Sequence, residues 1–353
     1  MRVSSVLSEA WRDLVTGTTR AATLALVLAV GAGALAVLDA RATVDVLRHA
    51  ADFRAAGAST WVLEDRANVD GARCDGLTGV AGMRAGAVRQ GDGLRARALP
   101  SSLLTVWEVT PGLLGAALGR PVDAGPGLWL SVDLAETLGV TAGGTLATTS
   151  GDARVAGTYT WPDDGRARSL GYAVVAPVAA TGTFDACWAH TWPPDADTAA
   201  LLHFTTGSAT TSQPSLRQLN ASLGEQMDVP GLLAARVTRW APAAATVLGL
   251  ALGWVGVRAR RLQVAAALHA RVPRAHLAWQ LLVEAAGWVA VAAVVAAAAC
   301  GWAAAAGNPD PGGGVWLGAL RTVGAGCGAA LLGTLTAAVT TRERHLFRYF
   351  KDR

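Results

Sequence analysis

The chain has 353 residues, 52% of them hydrophobic and only 16% charged, with a formal net charge of +4. Soluble globular domains carry about a quarter charged residues, and here the charges vanish from four stretches, which excludes a wholly soluble globule. The positive balance is not a nucleic-acid patch. Residues 42–235 hold 19 acidic residues against 13 arginines, whereas residues 1–20, 258–280 and 342–353 together hold 13 basic residues against 4 acidic ones.

In chain order, residues 1–20 set Val3, Val6, Leu7, Ala10, Trp11, Leu14 and Val15 at helical spacing opposite Arg2, Ser5, Glu9, Arg12 and Asp13. That pattern predicts an amphipathic helix lying along the inner membrane surface. A helix crossing the ~30 Å hydrocarbon core needs about 20 mostly apolar residues, and the uncharged run 21–38 meets this within a first span assigned to 21–40. A cleaved secretory signal ending at Ala34-Leu35-Ala36 is the rival reading, disfavoured by the long patterned segment before the run.

Residues 41–236 read as an extracytoplasmic α+β domain. Residues 44–55 continue the first span as a stalk, and short β-rich runs follow at 61–63, 105–109, 128–132, 154–160, 172–175 and 201–205. Asp164-Gly165 marks a turn, 133–138 reads as a short helix capped by Asp133, and 215–223 as another helix. Cys74 and Cys187 are the domain's cysteines, and in a compartment where disulfides persist the reading favours a Cys74–Cys187 bridge over two free thiols. His190 and His203 lack metal-ligand spacing, and no G-x-S-x-G elbow is present. No catalytic, cofactor or metal site is therefore expected, and the chain does not read as an enzyme.

The second span is assigned to 237–258, a loop to 259–280, the third span to 281–307, an external loop to 308–320, the fourth span to 321–341 and a basic tail to 342–353. The expected architecture is thus a four-span helical transmembrane bundle, one span before the domain and three after it. Trp240, Trp254, Trp279, Trp302 and Trp316 fall near the span ends, where amphipathic rings favour the headgroup layer. The three arginine-rich segments belong on the cytoplasmic side, which puts both termini and the 259–280 loop inside, in the cytoplasmic membrane, and the acidic domain outside. Cys300 and Cys327 read as small packing residues in spans. Gly324 and Gly328 form a G-x-x-x-G pair that serves either packing within the bundle or a dimer contact, and Glu284 reads as a loop anchor at the inner end of the third span.

The most specific segment is RRLQVAAALHARVPRAHLAWQLLVEA, residues 260–285. With Arg260, Arg261, Val264, Leu268, Arg274, Leu277, Leu281, Glu284 and Ala285 in register, it resembles the inner loop of FtsX/MacB-like ABC transporter permeases. Two positions depart from that family's pattern: Gln263 stands where an acidic residue is usual, and Arg271, followed by Pro273, stands where the turn glycine is usual. The segment 128–164, with Ser131-Val132-Asp133-Leu134-Ala135, Leu138-Gly139-Val140, Gly143-Gly144 and Val155-Ala156-Gly157, is similar to the extracytoplasmic core domain of the same family.

The resemblance implies a permease subunit paired with a second permease subunit and bound to an ABC ATPase in trans. Arg260, Arg261, Val264, Leu268, Arg271, Pro273, Arg274 and Leu277 are then the coupling residues, with the apolar ones offered to a groove on the ATPase. The chain has no P-loop and a single lysine, Lys351, so nucleotide hydrolysis belongs to another subunit. The expected partners are that ATPase, a second permease and lipid, with no nucleic acid. A membrane-anchored sensor or scaffold of the same fold, without ATP coupling, is the alternative.

Overall fold

A computed structural model describes residues 8, 12, 20–117, 126–193, 197–207 and 213–341. The amphipathic helix expected over 1–20 falls almost wholly outside the described residues, as does the basic tail 342–353. The chain divides into two compact units, residues 1–49 with 229–353, and residues 50–228. Helix α1 (Ala21–Ala55) is unbroken for 35 residues, so the segment read as a stalk is indeed helical. Leu28, Ala32, Ala36, Ala40 and Val44, each four residues apart, are no more than 1% exposed. A stripe at that spacing lies along one face of a helix and buries it.

Residues 50–228 are built on a sheet. In chain order come β1 (Thr60–Asp70), α2 (Gly71–Gly76), β2 (Met83–Gln90), β3 (Val106–Val109), α3 (Pro111–Ala117), β4 (Leu128–Ser131) and α4 (Val132–Leu138). Then follow β5 (Thr145–Thr148), β6 (Gly151–Tyr159), β7 (Val174–Pro177), β8 (Thr183–Thr191), α5 (Thr198–His203) and β9 (Ser215–Gln218). Among the described residues the strands form one sheet in the order β5-β6-β4-β7-β3-β2-β8-β1-β9, parallel at β3–β7 and β4–β6 and otherwise antiparallel. A sheet with short helices makes this an α+β unit.

Sulfur and aromatic residues organise its core. Cys187 on β8 lies opposite Leu63 of β1 and Ala87 of β2, and it is disulfide-bonded to Cys74 of α2 across a Cα–Cα distance of 5.8 Å. The bridge pins α2 to an interior strand of the sheet amid Val69, Met83, Phe184 and Leu202. Closing a loop of 113 residues is worth about 4–5 kcal/mol in the chain-entropy account.

Three local expectations are corrected. Residues 201–205, read as a strand, form the end of helix α5 and the turn after it, because a short apolar run fits either structure until its neighbours decide. Residues 215–223, read as a helix, begin with β9, whose backbone pairs with the free side of β1. Helix α4 starts at Val132 with Ser131 at the cap position, and Asp133 sits in its first turn, where a negative charge favours the helix dipole without capping the end.

The other unit completes α1 with α6 (Val229–Ala235), α7 (Ala241–Arg258), α8 (Arg261–His269), α9 (Arg274–Ala305) and α10 (Gly314–Thr340). Among the described residues, four helices are long and apolar enough to cross a membrane, at 21–55, 237–258, 274–305 and 314–340. The chain is accordingly a multi-pass membrane protein with a sheet-rich domain. Helix α9 starts well before the assigned span, and α10 starts inside the segment expected as a loop.

Helices α7 and α10 meet backbone to backbone. A Cβ on Gly249 would overlap the Gly326 carbonyl oxygen, one on Gly253 that of Ala330, and one on Gly333 that of Leu250. Small residues that let backbones approach are the main device of helix packing in lipid, where no hydrophobic force separates helix from solvent. Gly324 and Gly328 are not part of this seam: a Cβ at either meets nothing within 4 Å. The reading of that pair as packing within the bundle is thus corrected, since it lies on the exposed side of α10.

Charged groups fasten the ends of the spans. Arg236, just ahead of α7, pairs with Asp39 of α1 at 3.0 Å, both side chains being less than a fifth exposed, and also reaches the Thr43 hydroxyl. Arg41 and Arg48 of α1 donate to the carbonyl of Ala306, and Arg48 also to that of Gly307. Guanidinium groups thereby satisfy the orphan carbonyls at the C-terminus of α9 and sit at the negative end of its dipole. Gly307 has φ +68, and a Cβ there would overlap the Arg48 guanidinium.

Candidate functional site

The segment of strongest sequence signal forms a helix–turn–helix. Helix α8 closes with a Schellman motif: the Val272 N–H donates to the Ala267 carbonyl at 3.2 Å and the Arg271 N–H to the Leu268 carbonyl at 3.0 Å. Such an ending requires a left-handed residue just past the cap, and Arg271 supplies it at φ +62. The conformation costs a residue with a Cβ about 1–2 kcal/mol, which is the physical reason a glycine suits this position. Pro273, which has no N–H to lose, then stands at the N-cap of α9 with extended backbone.

The turn presents some expected residues and withdraws others. Arg271, Pro273 and Arg274 are exposed, Arg261 and Leu277 half-buried. Val264 and Leu268, expected to be offered to a partner, are 3% and 7% exposed. Val264 packs with Val257 of α7, Leu281 of α9 and Ala337 of α10, with Leu277 against the same cluster. The apolar face of a short amphipathic helix is consumed by its own bundle, as burial of apolar area favours. The face that α8 leaves open carries Gln263, Ala266 and His269, residues that the apolar pattern gave no reason to single out.

Below the turn, Arg260 pairs with Glu284 of α9. The carboxylate is 2% exposed and the guanidinium side chain 13%, and the Gln280 amide donates to the other Glu284 oxygen at 3.2 Å. Two of the residues quoted for the resemblance are thus brought into direct contact, and the loop-anchor reading of Glu284 acquires its partner. Charge removed from water this far needs a matched charge and further hydrogen bonds, both of which it has.

A second location lies wholly in the sheet-rich unit. A cleft of about 940 Å3 is lined by Arg54, Arg84, Arg166, His190 and Trp192 among others, and no carboxylate lines it among the described residues. Asp164 grips Arg166 at 2.6 and 2.9 Å, and the hydrogen bond from Arg166 holds the Asp164 carboxyl below the usual carboxylate range. His190 accepts or donates a hydrogen bond with Ser59 at 3.0 Å. Burial pushes its pKa down, and the charges of Arg84 and Arg54 push it further the same way. Sequence reasoning could not assemble this cleft, because its charged residues come from α1, β2, β8 and the segment after β6, with no characteristic spacing.

Among the described residues no group of three or more His, Cys, Asp or Glu side chains is arranged to hold a metal ion. Compared with known protein families and curated proteins, the chain matches no family model and no curated sequence. The resemblance to ABC permeases therefore rests on the quoted residues.

Proposed function

We propose that the chain is the membrane-spanning subunit of an ABC transporter or ABC-type mechanotransmission complex, lying in the cytoplasmic membrane with both termini inside. It couples a separate cytoplasmic ATPase to movements of an extracytoplasmic domain, and works beside a second permease subunit. The observation that carries this reading is the α8–α9 turn, a short helix stopped by a left-handed residue and Pro273 and followed directly by a 32-residue helix. Its exposed basic corner, Arg271 and Arg274, is suited to acidic groups on a partner or to lipid phosphates. Gln263, Ala266 and His269 form the docking face, and Val264 and Leu268 hold it to the bundle.

Because Leu268 is packed inward, a charge placed there would test folding. Ala266→Glu is the cleaner perturbation, since it keeps a good helix former on the open face. The affinity-purified chain in detergent should bring down an ATPase, and Ala266→Glu should lose it while inserting normally. If the unaltered chain brings down no ATPase, or the variant retains it in full, the coupling reading fails. The second reading, a sensor or scaffold of the same fold without ATP coupling, is favoured by one observation: the two strongest apolar anchors of α8 are already buried in the bundle.

A further inference from the structure

The cleft in the sheet-rich unit has an organisation that packing alone does not explain. Three adjacent strands place Thr60, His190 and Arg84 in one row, His190 lying opposite Thr60 on one side and opposite Arg84 on the other. Residues directly opposite on neighbouring strands share a face with their Cβ atoms about 5 Å apart. Two residues further on, the Trp192 N–H donates to the Gly82 carbonyl at 3.0 Å, bringing the indole to the same edge. The Arg54 guanidinium lies over that indole, 4.9 Å from the ring centroid, and the Phe53 ring packs tilted against the same indole at a centroid separation of 6.5 Å.

Arg54 and Arg84 thus converge with His190 in a concave site from which carboxylates are missing among the described residues. The third arginine, Arg166, is neutralised by Asp164 and further held by the Ala55 carbonyl. The surrounding stretch 42–235 is acidic overall, so the cleft reverses the sign of its domain. Two like charges gathered around an imidazole are unfavourable unless a counter-charge visits them.

We propose that this cleft binds a ligand bearing a phosphate monoester, whose oxygens take hydrogen bonds from Arg54, Arg84 and His190 beside the Trp192 indole. A phosphate monoester carries close to two negative charges near neutral pH, matching two guanidinium groups, whereas a carboxylate carries one. Planar guanidinium forks donate two parallel hydrogen bonds to pairs of its tetrahedrally arranged oxygens. The volume, about 940 Å3, is at the upper end for small-ligand sites and leaves room for an organic body. The monoester can belong to a free metabolite or to a lipid headgroup. This site does not depend on ATPase coupling.

The test uses the full chain with 13C-labelled histidines, its His190 signal assigned by loss in His190→Gln. Glycerol 3-phosphate is titrated against chloride of equal ionic strength in detergent, and phosphatidic acid is compared with phosphatidylcholine in nanodiscs. The charged groups facing His190 are Arg84 from β2 and Arg54 from α1, and an anion between them must raise the imidazole's titration midpoint. The expected result is a saturable upward shift of that midpoint with glycerol 3-phosphate, with phosphatidic acid, or with both, which identifies the source. Arg84→Gln should weaken binding about tenfold or more, with the other histidine signals unchanged. No shift from either probe, an equal shift from chloride, or an undiminished response in Arg84→Gln would overturn the assignment.

Discussion

Removing the guanidinium from the buried pair of Arg260 and Glu284 gives the sharpest energetic test of the helical unit. Arg260→Ala removes the guanidinium from a carboxylate that is 2% exposed and leaves its Gln280 hydrogen bond in place. Breaking one side of a buried ion pair costs about 3–5 kcal/mol. Because Arg260 itself remains 13% exposed, so that water can reach the vacated position, the lower end applies: about 3 kcal/mol, or on the order of a hundredfold in the unfolding equilibrium. The double variant Arg260→Met with Glu284→Leu replaces both charges by apolar groups of similar size and should return to within about 1 kcal/mol of the parent. Unfolding in mixed micelles with rising sodium dodecyl sulfate, followed by tryptophan fluorescence, measures all three. An Arg260→Ala chain within about 0.5 kcal/mol of the parent would refute the argument, as would a double variant no better than the single one.

Gly253→Leu should destabilise the bundle by about 3 kcal/mol in the same titration, since its side chain must displace the backbone of α10, while Gly324→Leu on the open face should change little. Arg271→Gly should raise stability by about 1 kcal/mol by relieving the left-handed strain, read as a later midpoint; an earlier midpoint would mean that the arginine side chain contributes more than its backbone costs. His190 has a folded-state pKa below its ordinary value of about 6.5, so its contribution to stability is complete above about pH 6.5 and is lost as pH falls through the folded value. His190→Gln should flatten the pH dependence of thermal unfolding in that window, and an unchanged slope would assign it to other groups.

The spans were legible because lipid imposes one rule, a long apolar helix, and charge-free runs report it directly. Their true ends were less so. Helix α9 begins at Arg274 because Pro273 and the Schellman turn end the previous helix, a local backbone event that hydropathy averages away. In the sheet, the strand β2 was invisible in sequence: Met83-Arg84-Ala85-Gly86-Ala87 is poor in β-formers, and it becomes a strand only because β3 and β8 flank it. The Cys74–Cys187 pairing was readable because few partners existed, whereas the Gly249–Gly326 seam was not, since nearly every span here contains spaced glycines. At the α8 turn the apolar residues were legible but the facing of Val264 and Leu268 was not, because an amphipathic pattern says that a helix has an apolar side and not who covers it.

The capping of α9 by Arg41 and Arg48 has a mechanical side. At 1.5 Å per residue, a 32-residue helix is a rod of about 48 Å. At the Ala305 end it is tied through hydrogen bonds to a neighbouring helix, and at the Arg274 end it meets the four-residue turn 270–273. A rod clamped at one end amplifies rotation with length, so a tilt of about 5° at the clamp displaces the far tip by about 4 Å. That sideways shift lies between the ~1–2 Å translations and the ~5.4 Å one-turn steps by which packed helices switch between arrangements.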